Sequence, residues 1–117
     1  MRGAPSSYII WIMNLKSLSV TGDNSVITLE LGEGLSQHLL PADARILAER
    51  LLEFSSKEGG TDVELTRHLH LGVKSTSSIV SFTIFSPDQG PQRWNDLDKQ
   101  AAVAAAERIT SLLTSVP

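Results

Sequence analysis

The sequence contains no cysteine among its 117 residues. Disulfide bonds, thiolate nucleophiles and zinc sites with cysteine ligands are therefore excluded. The redox compartment stays undetermined, because a chain without cysteine is compatible with either environment.

Positive charge is also in short supply. Ten lysines and arginines stand against 13 aspartates and glutamates, which gives a formal net charge of -3. Proteins that bind nucleic acid through a broad cationic surface gain affinity from Lys and Arg neutralising phosphates. The composition disfavours binding of this kind, although it leaves room for a local basic patch.

Long apolar runs are missing as well. The run near the start, YIIWIM, covers only residues 8–13, whereas a membrane-spanning helix needs about 20 apolar residues. A secretory signal combines a basic start, an apolar run of about 7 to 15 residues and a small-residue cleavage site, and only Arg2 resembles the first of these. We therefore expect a cytoplasmic protein that does not contact a membrane.

What is present is typical of one globular domain. Hydrophobic residues make up 41% of the chain and charged residues 20%, which is ordinary for a protein with a packed core. Residues 1–7, MRGAPSS, predict a flexible tail, and residues 8–117 predict a single α+β domain. Met13 is an alternative start that would remove most of YIIWIM.

Alternation of apolar and polar residues predicts the strands. YIIWIM is apolar at both parities, which predicts a strand buried on both faces. Gly22, Asp23 and Asn24 predict the turn of a hairpin. Arg67 interrupts the apolar side of its strand, which indicates a bulge, a paired buried charge or a point where the strand extends past the core. The predicted strands are residues 8–13, the two arms of 15–31, 35–40, 62–71 and 77–85.

Two segments predict helices. PADARILAERLLEF, residues 41–54, has apolar residues at three- and four-residue spacing, Pro41 at the first position and Asp43 in the first turn. The last helix is predicted to begin after Asn95 as N-cap and to run through residues 99–116. Together these elements predict an α+β fold with a single antiparallel β-sheet of about five strands and both helices on one face. No convincing internal repeat is evident, although a hairpin followed by a helix occurs twice.

The three histidines all fall at polar positions of predicted strands. If the apolar residues of each strand face the helices, His38, His68 and His70 share the open face of the sheet. Residues i and i+2 of a strand lie about 7 Å apart, so His68 and His70 can converge on a divalent metal, with His38 or Glu64 completing the site. The alternatives are ordinary solvent exposure and a pH-sensitive surface.

Patterns that would indicate catalysis are incomplete. GLSQH has His38 where the Gly-x-Ser-x-Gly turn of hydrolases needs its second glycine. LGVKSTSS has Val73 where a phosphate-binding loop needs glycine before the lysine. We therefore predict no catalytic residue and expect no cofactor, apart from the possible metal.

Tryptophan and the apolar run predict an interface. Trp94 precedes a predicted helix start, and exposed tryptophans frequently anchor protein contacts. A strand that is apolar on both faces needs cover on both sides, either as a central strand or beneath a second subunit. We predict a small non-enzymatic binding, regulatory or accessory protein that acts as a homodimer. The alternative is a small enzyme or a ligand-binding or metal-binding protein whose site uses the three histidines on the open face of the sheet. The predicted interface residues are Ile10, Trp11, Ile12 and Trp94.

Overall fold

The computed structural model describes residues 19–22, 25–32, 35–88 and 94–114. The predicted tail and the predicted strand at residues 8–13 lie outside these ranges. The α+β class is confirmed, since the described residues form two helices and antiparallel sheets. The elements are β1 (Ser19–Gly22), β2 (Ile27–Gly32), β3 (Leu35–Leu39), α1 (Pro41–Ser55), β4 (Gly59–Glu64), a tight turn (Thr66–His68), β5 (His70–Ser75), β6 (Ile79–Phe85), β7 (Asn95–Asp98) and α2 (Lys99–Thr114).

Two antiparallel sheets replace the predicted single sheet. One has the order β1-β2-β3 and the other the order β4-β5-β6-β7. In both, each strand pairs with the next one along the chain, and α1 lies between the two sets of strands in the sequence. The prediction of one sheet was wrong because alternation identifies strands without identifying which strands pair.

The predicted hairpin at the start of the first sheet is confirmed. β1 and β2 are antiparallel with Val20 opposite Leu29, and β3 continues the sheet with Leu39 opposite Ile27. All four of these side chains are buried. Since side chains alternate across a strand, the polar partners of the same strands lie on the opposite face.

Two predictions in the second sheet were wrong. The continuous strand predicted at residues 62–71 is divided into β4 and β5 by the turn at Thr66–His68. Asn95, predicted to cap a helix, instead begins β7, which pairs with β6. The cap is formed three residues later, where Asp98 Oδ1 accepts a hydrogen bond of 2.7 Å from the Ala101 amide.

The two helices close the core over both sheets. α1 contacts β3, β5 and β6, and α2 contacts β1, β6 and β7, while the helices also pack against each other. The fully buried side chains between these layers include Leu47, Leu51, Phe82 and Ile109. Among the described residues, neither helix is long and apolar enough to span a membrane.

The structure contains a repeated unit of three strands and a helix. Val20 faces Leu29 in the first unit, and 53 residues later Val73 faces Phe82. Likewise Ile27 faces Leu39, and Val80 faces Leu97.

In each unit the helix begins two residues after the paired leucine of the third strand. The first unit is thus β1-β2-β3-α1, and the second is β5-β6-β7-α2.

Candidate interaction surface

A tight turn joins β4 to β5. The Leu65 amide donates to the Leu69 carbonyl at 2.7 Å, and the Leu69 amide donates to the Thr66 carbonyl at 3.1 Å. Arg67 and His68 stand at the centre of the turn with φ of 58° and 63°. Positive φ at both central residues is the geometry of a type I′ turn, for which Asn-Gly is the favoured sequence.

Asp43 holds this turn against the start of α1. Its carboxylate is buried, with 2% of the residue exposed. Oδ2 accepts a hydrogen bond of 2.6 Å from the Thr66 hydroxyl, and Oδ1 accepts one of 3.2 Å from the Thr66 amide. Asp43 was predicted only as a first-turn charge, so its structural role was missed.

The three histidines do not share one strand face. His38 lies in the first sheet, where its Nδ1 is 2.9 Å from Thr28 Oγ1. His68 is exposed at the turn, and His70 begins β5 in the other sheet. Across the described ranges, no group of three or more His, Cys, Asp or Glu side chains is placed to hold a metal ion. The strand spacing on which the predicted metal site depended is therefore not present.

Trp94 lies across the outer face of the four-stranded sheet. A Cβ on Gly72 would come within 3.1 Å of Trp94 Cη2, so the indole packs directly on the β5 backbone. Lys74 Nζ sits 4.2 Å from the indole ring centroid, in cation–π geometry. Even so, 36% of Trp94 remains exposed.

His70 and Phe85 extend the same face toward the hairpin turn. Their rings stack with centroids 5.5 Å apart, and His70 Nδ1 is 3.3 Å from Asp62 Oδ1. We call the outer surface formed by Asp62, His70, Lys74, Phe85, Trp94 and Asp96 the Trp94 face.

At the β7 edge of the Trp94 face, a polar contact joins β6 to β7. The Ser81 hydroxyl donates a hydrogen bond of 2.6 Å to Asp96 Oδ1. Ser81 is opposite Asp96 in the pairing of β6 with β7. The contact therefore holds one carboxylate of this face in a defined position.

A cluster of charged side chains around Glu53 lies at the C-terminal end of α1 and just beyond it. Lys57 and Arg50 contact the Glu53 carboxylate at 2.7 and 2.6 Å. These hydrogen bonds, that of Lys57 first, lower the pKa of Glu53 below its ordinary value of 4.5. The Glu53 cluster lies at the C-terminal end of the helix and supplies no group to the Trp94 face.

Of the predicted interface residues, only Trp94 is described, because Ile10, Trp11 and Ile12 fall outside the described ranges. Sequence reasoning missed Gly72, although a glycine inside a strand is a known signal of close approach by another group. No protein-family model matches the chain, and neither a curated protein nor a solved structure is significantly similar to it.

Proposed function

We propose that this chain is a non-enzymatic protein-binding module that works as a homodimer, and that the two copies meet through the Trp94 face. The observation that carries the proposal is the position of Trp94. Its indole packs on the Gly72 backbone with Lys74 Nζ over the ring, yet about a third of the residue faces solvent. A rigid, partly exposed tryptophan contributes large contact area with little loss of side-chain freedom.

The charges of the Trp94 face suit contact with a second copy. In a twofold dimer the same patch meets itself, so it must be self-complementary. Lys74 supplies a cation on β5, while Asp62 and Asp96 supply carboxylates on the strands at the two sides of the sheet. Opposite charges can therefore meet across the twofold axis. A cytoplasmic location, expected from the composition, is part of the same proposal.

The test is the molar mass in solution across a concentration series, measured by light scattering. The unmodified chain is expected to reach twice the monomer mass of 12.7 kDa. Trp94→Ala removes the side chain from both copies and is expected to raise the dimer dissociation constant by about a thousandfold, because each hot-spot side chain contributes about 2 kcal/mol.

Leu52→Ala is the matched control. Leu52 is exposed to a similar degree, 42%, but lies on α1. Its substitution is expected to leave the dissociation constant unchanged. A chain that stays monomeric at all concentrations, or a dimer that responds to Leu52 and not to Trp94, would contradict the proposal.

A further inference from the structure

One of the three histidines lies on the Trp94 face. His70 begins β5, and Gly72, on which Trp94 packs, is two residues further along the same face of this strand, about 7 Å away. His38 belongs to the other sheet, and His68 lies in the turn that precedes β5. The imidazole of His70 is therefore a neighbour of the indole that carries the proposed dimer contact.

The immediate surroundings of His70 are an aromatic ring and two carboxylates. In the strand pairing it lies between Glu64 of β4 and Phe85 of β6, and directly opposite side chains point to the same face of a sheet. Its Nδ1 is 3.3 Å from Asp62 Oδ1, and its ring stacks on Phe85. The side chain remains 31% exposed, so a second copy that covers this face meets the imidazole.

The charged groups near His70 come from the strands and turns beside it. The titratable and charged side chains of these segments are Asp62, Glu64, Arg67, His68, Lys74 and Asp88. Both helices lie on the other face of the sheet, where Leu71 and Val73 are buried. Asp62, in contact with His70, and Glu64, opposite it, make the surroundings on the β4 side acidic.

Carboxylates outnumber cations on and beside the Trp94 face. Asp62 and Asp96 belong to it, Glu64 borders it, and Lys74 is its ammonium group. Three carboxylates and one ammonium leave two negative charges on each copy when His70 is neutral, and one when it is protonated. Because Coulomb energy scales with the product of the charges, protonation in both copies lowers the repulsion between the faces to about a quarter.

We propose that His70 makes dimerisation through the Trp94 face depend on pH, with a tighter dimer at lower pH. The inference rests on the homodimer proposed above. Histidine is the side chain whose charge ordinarily changes between about pH 5 and pH 8. The carboxylates of the second copy favour the charged imidazole, so dimer formation takes up protons, and a fall in pH therefore favours the dimer.

The test is the dimer dissociation constant at about pH 7.5, 6.5 and 5.5 and constant ionic strength, measured by light scattering. A surface ion pair contributes about threefold to an equilibrium constant, so the two copies together should tighten the dimer about tenfold across this range. His70→Gln keeps a polar side chain without the charge change and is expected to respond by less than about twofold. Added salt, at about 0.5 M, should reduce the response of the unmodified chain to about threefold.

His70→Arg separates charge from packing. The guanidinium is planar, stacks on aromatic rings and is always charged. This variant is expected to dimerise at about pH 7.5 as tightly as the unmodified chain does at about pH 5.5, and to show no further dependence on pH. A purely structural role of the imidazole would instead weaken the dimer in both variants.

His38→Gln and His68→Gln are the matched controls, because neither residue lies on the Trp94 face. Both are expected to retain the tenfold response. A dimer that is insensitive to pH, that weakens as the pH falls, or that keeps its response in His70→Gln would overturn the switch and leave the homodimer in place. A chain that is monomeric at every pH would overturn the homodimer as well.

Discussion

Asp43 shows how one side chain can connect elements that are distant in sequence. Its carboxylate is buried and accepts two hydrogen bonds from Thr66, 23 residues away. Local sequence predicts the charge only as a favourable feature of a helix start. The contact depends on the chain returning to α1 after β4, which local sequence rules do not indicate.

Removing the Asp43 carboxylate is expected to destabilise the fold. Asp43→Ala leaves the Thr66 amide and hydroxyl without their acceptor, and we expect a loss of about 2 kcal/mol in the free energy of unfolding. Asp43→Asn keeps one acceptor oxygen and should lose about half as much. Urea titration at neutral pH measures both.

The control for Asp43 is Asp88→Ala, since Asp88 is exposed beyond the end of β6. Its substitution should change the stability by less than about 0.5 kcal/mol. A similar value for Asp43→Ala would show that the buried carboxylate does not stabilise the turn.

At the scale of elements, the predictions that hold are those that depend on local periodicity. α1 follows from its apolar spacing and Pro41. The β1–β2 hairpin follows from alternation on each side of turn-forming residues. The break between β4 and β5 was not predicted, because Arg67 does not favour positive φ and the alternation of its neighbours indicates a continuous strand; histidine, at position 68, is among the residues enriched at positive φ.

The end of the second sheet shows the same limit of local signals. Asn95 and Asp96 resemble the start of a helix, yet pairing with β6 places them in β7. Tertiary pairing thus overrides local preference at this position.

A sequence that favours positive φ in the β4–β5 turn should therefore stabilise the fold. Arg67→Asn with His68→Gly introduces the favoured type I′ sequence and removes the cost of positive φ at two ordinary residues. We expect a gain of about 1 to 2 kcal/mol in the free energy of unfolding, measured by urea titration.

His68→Val provides the opposite case for the turn. A β-branched residue is disfavoured at positive φ, so this variant should be less stable than the unmodified chain. If both sets of substitutions left stability unchanged, the turn would not have positive φ in solution.

At the scale of the whole molecule, one continuous core joins the two sheets and the two helices. Its separate parts can be located by periodicity, as the buried faces of α1 and β6 were. The division into two sheets and the repeat cannot be located in this way. They depend on pairing registers, and the two units share too few identical residues for a repeat to be recognised before the registers are known.

Because the two units share one core, core substitutions in either unit should lower the free energy of unfolding by similar amounts. Leu51 in α1 and Ile109 in α2 are both fully buried and occupy equivalent helix positions. Leu51→Ala and Ile109→Ala should each cost about 2 to 5 kcal/mol, and unfolding should remain one transition by circular dichroism and by fluorescence. Separate transitions, each moved by only one substitution, would indicate two independently folding units.

On its outer face, each repeated unit has a hydroxyl side chain in contact with a polar partner on the next strand. Thr28 contacts His38 in the first unit, and Ser81 contacts Asp96 at the matching place in the second. A histidine and an aspartate thus stand at matching places of two units that have the same strand pairing. The outer faces of the two units therefore present different chemistry on the same backbone framework.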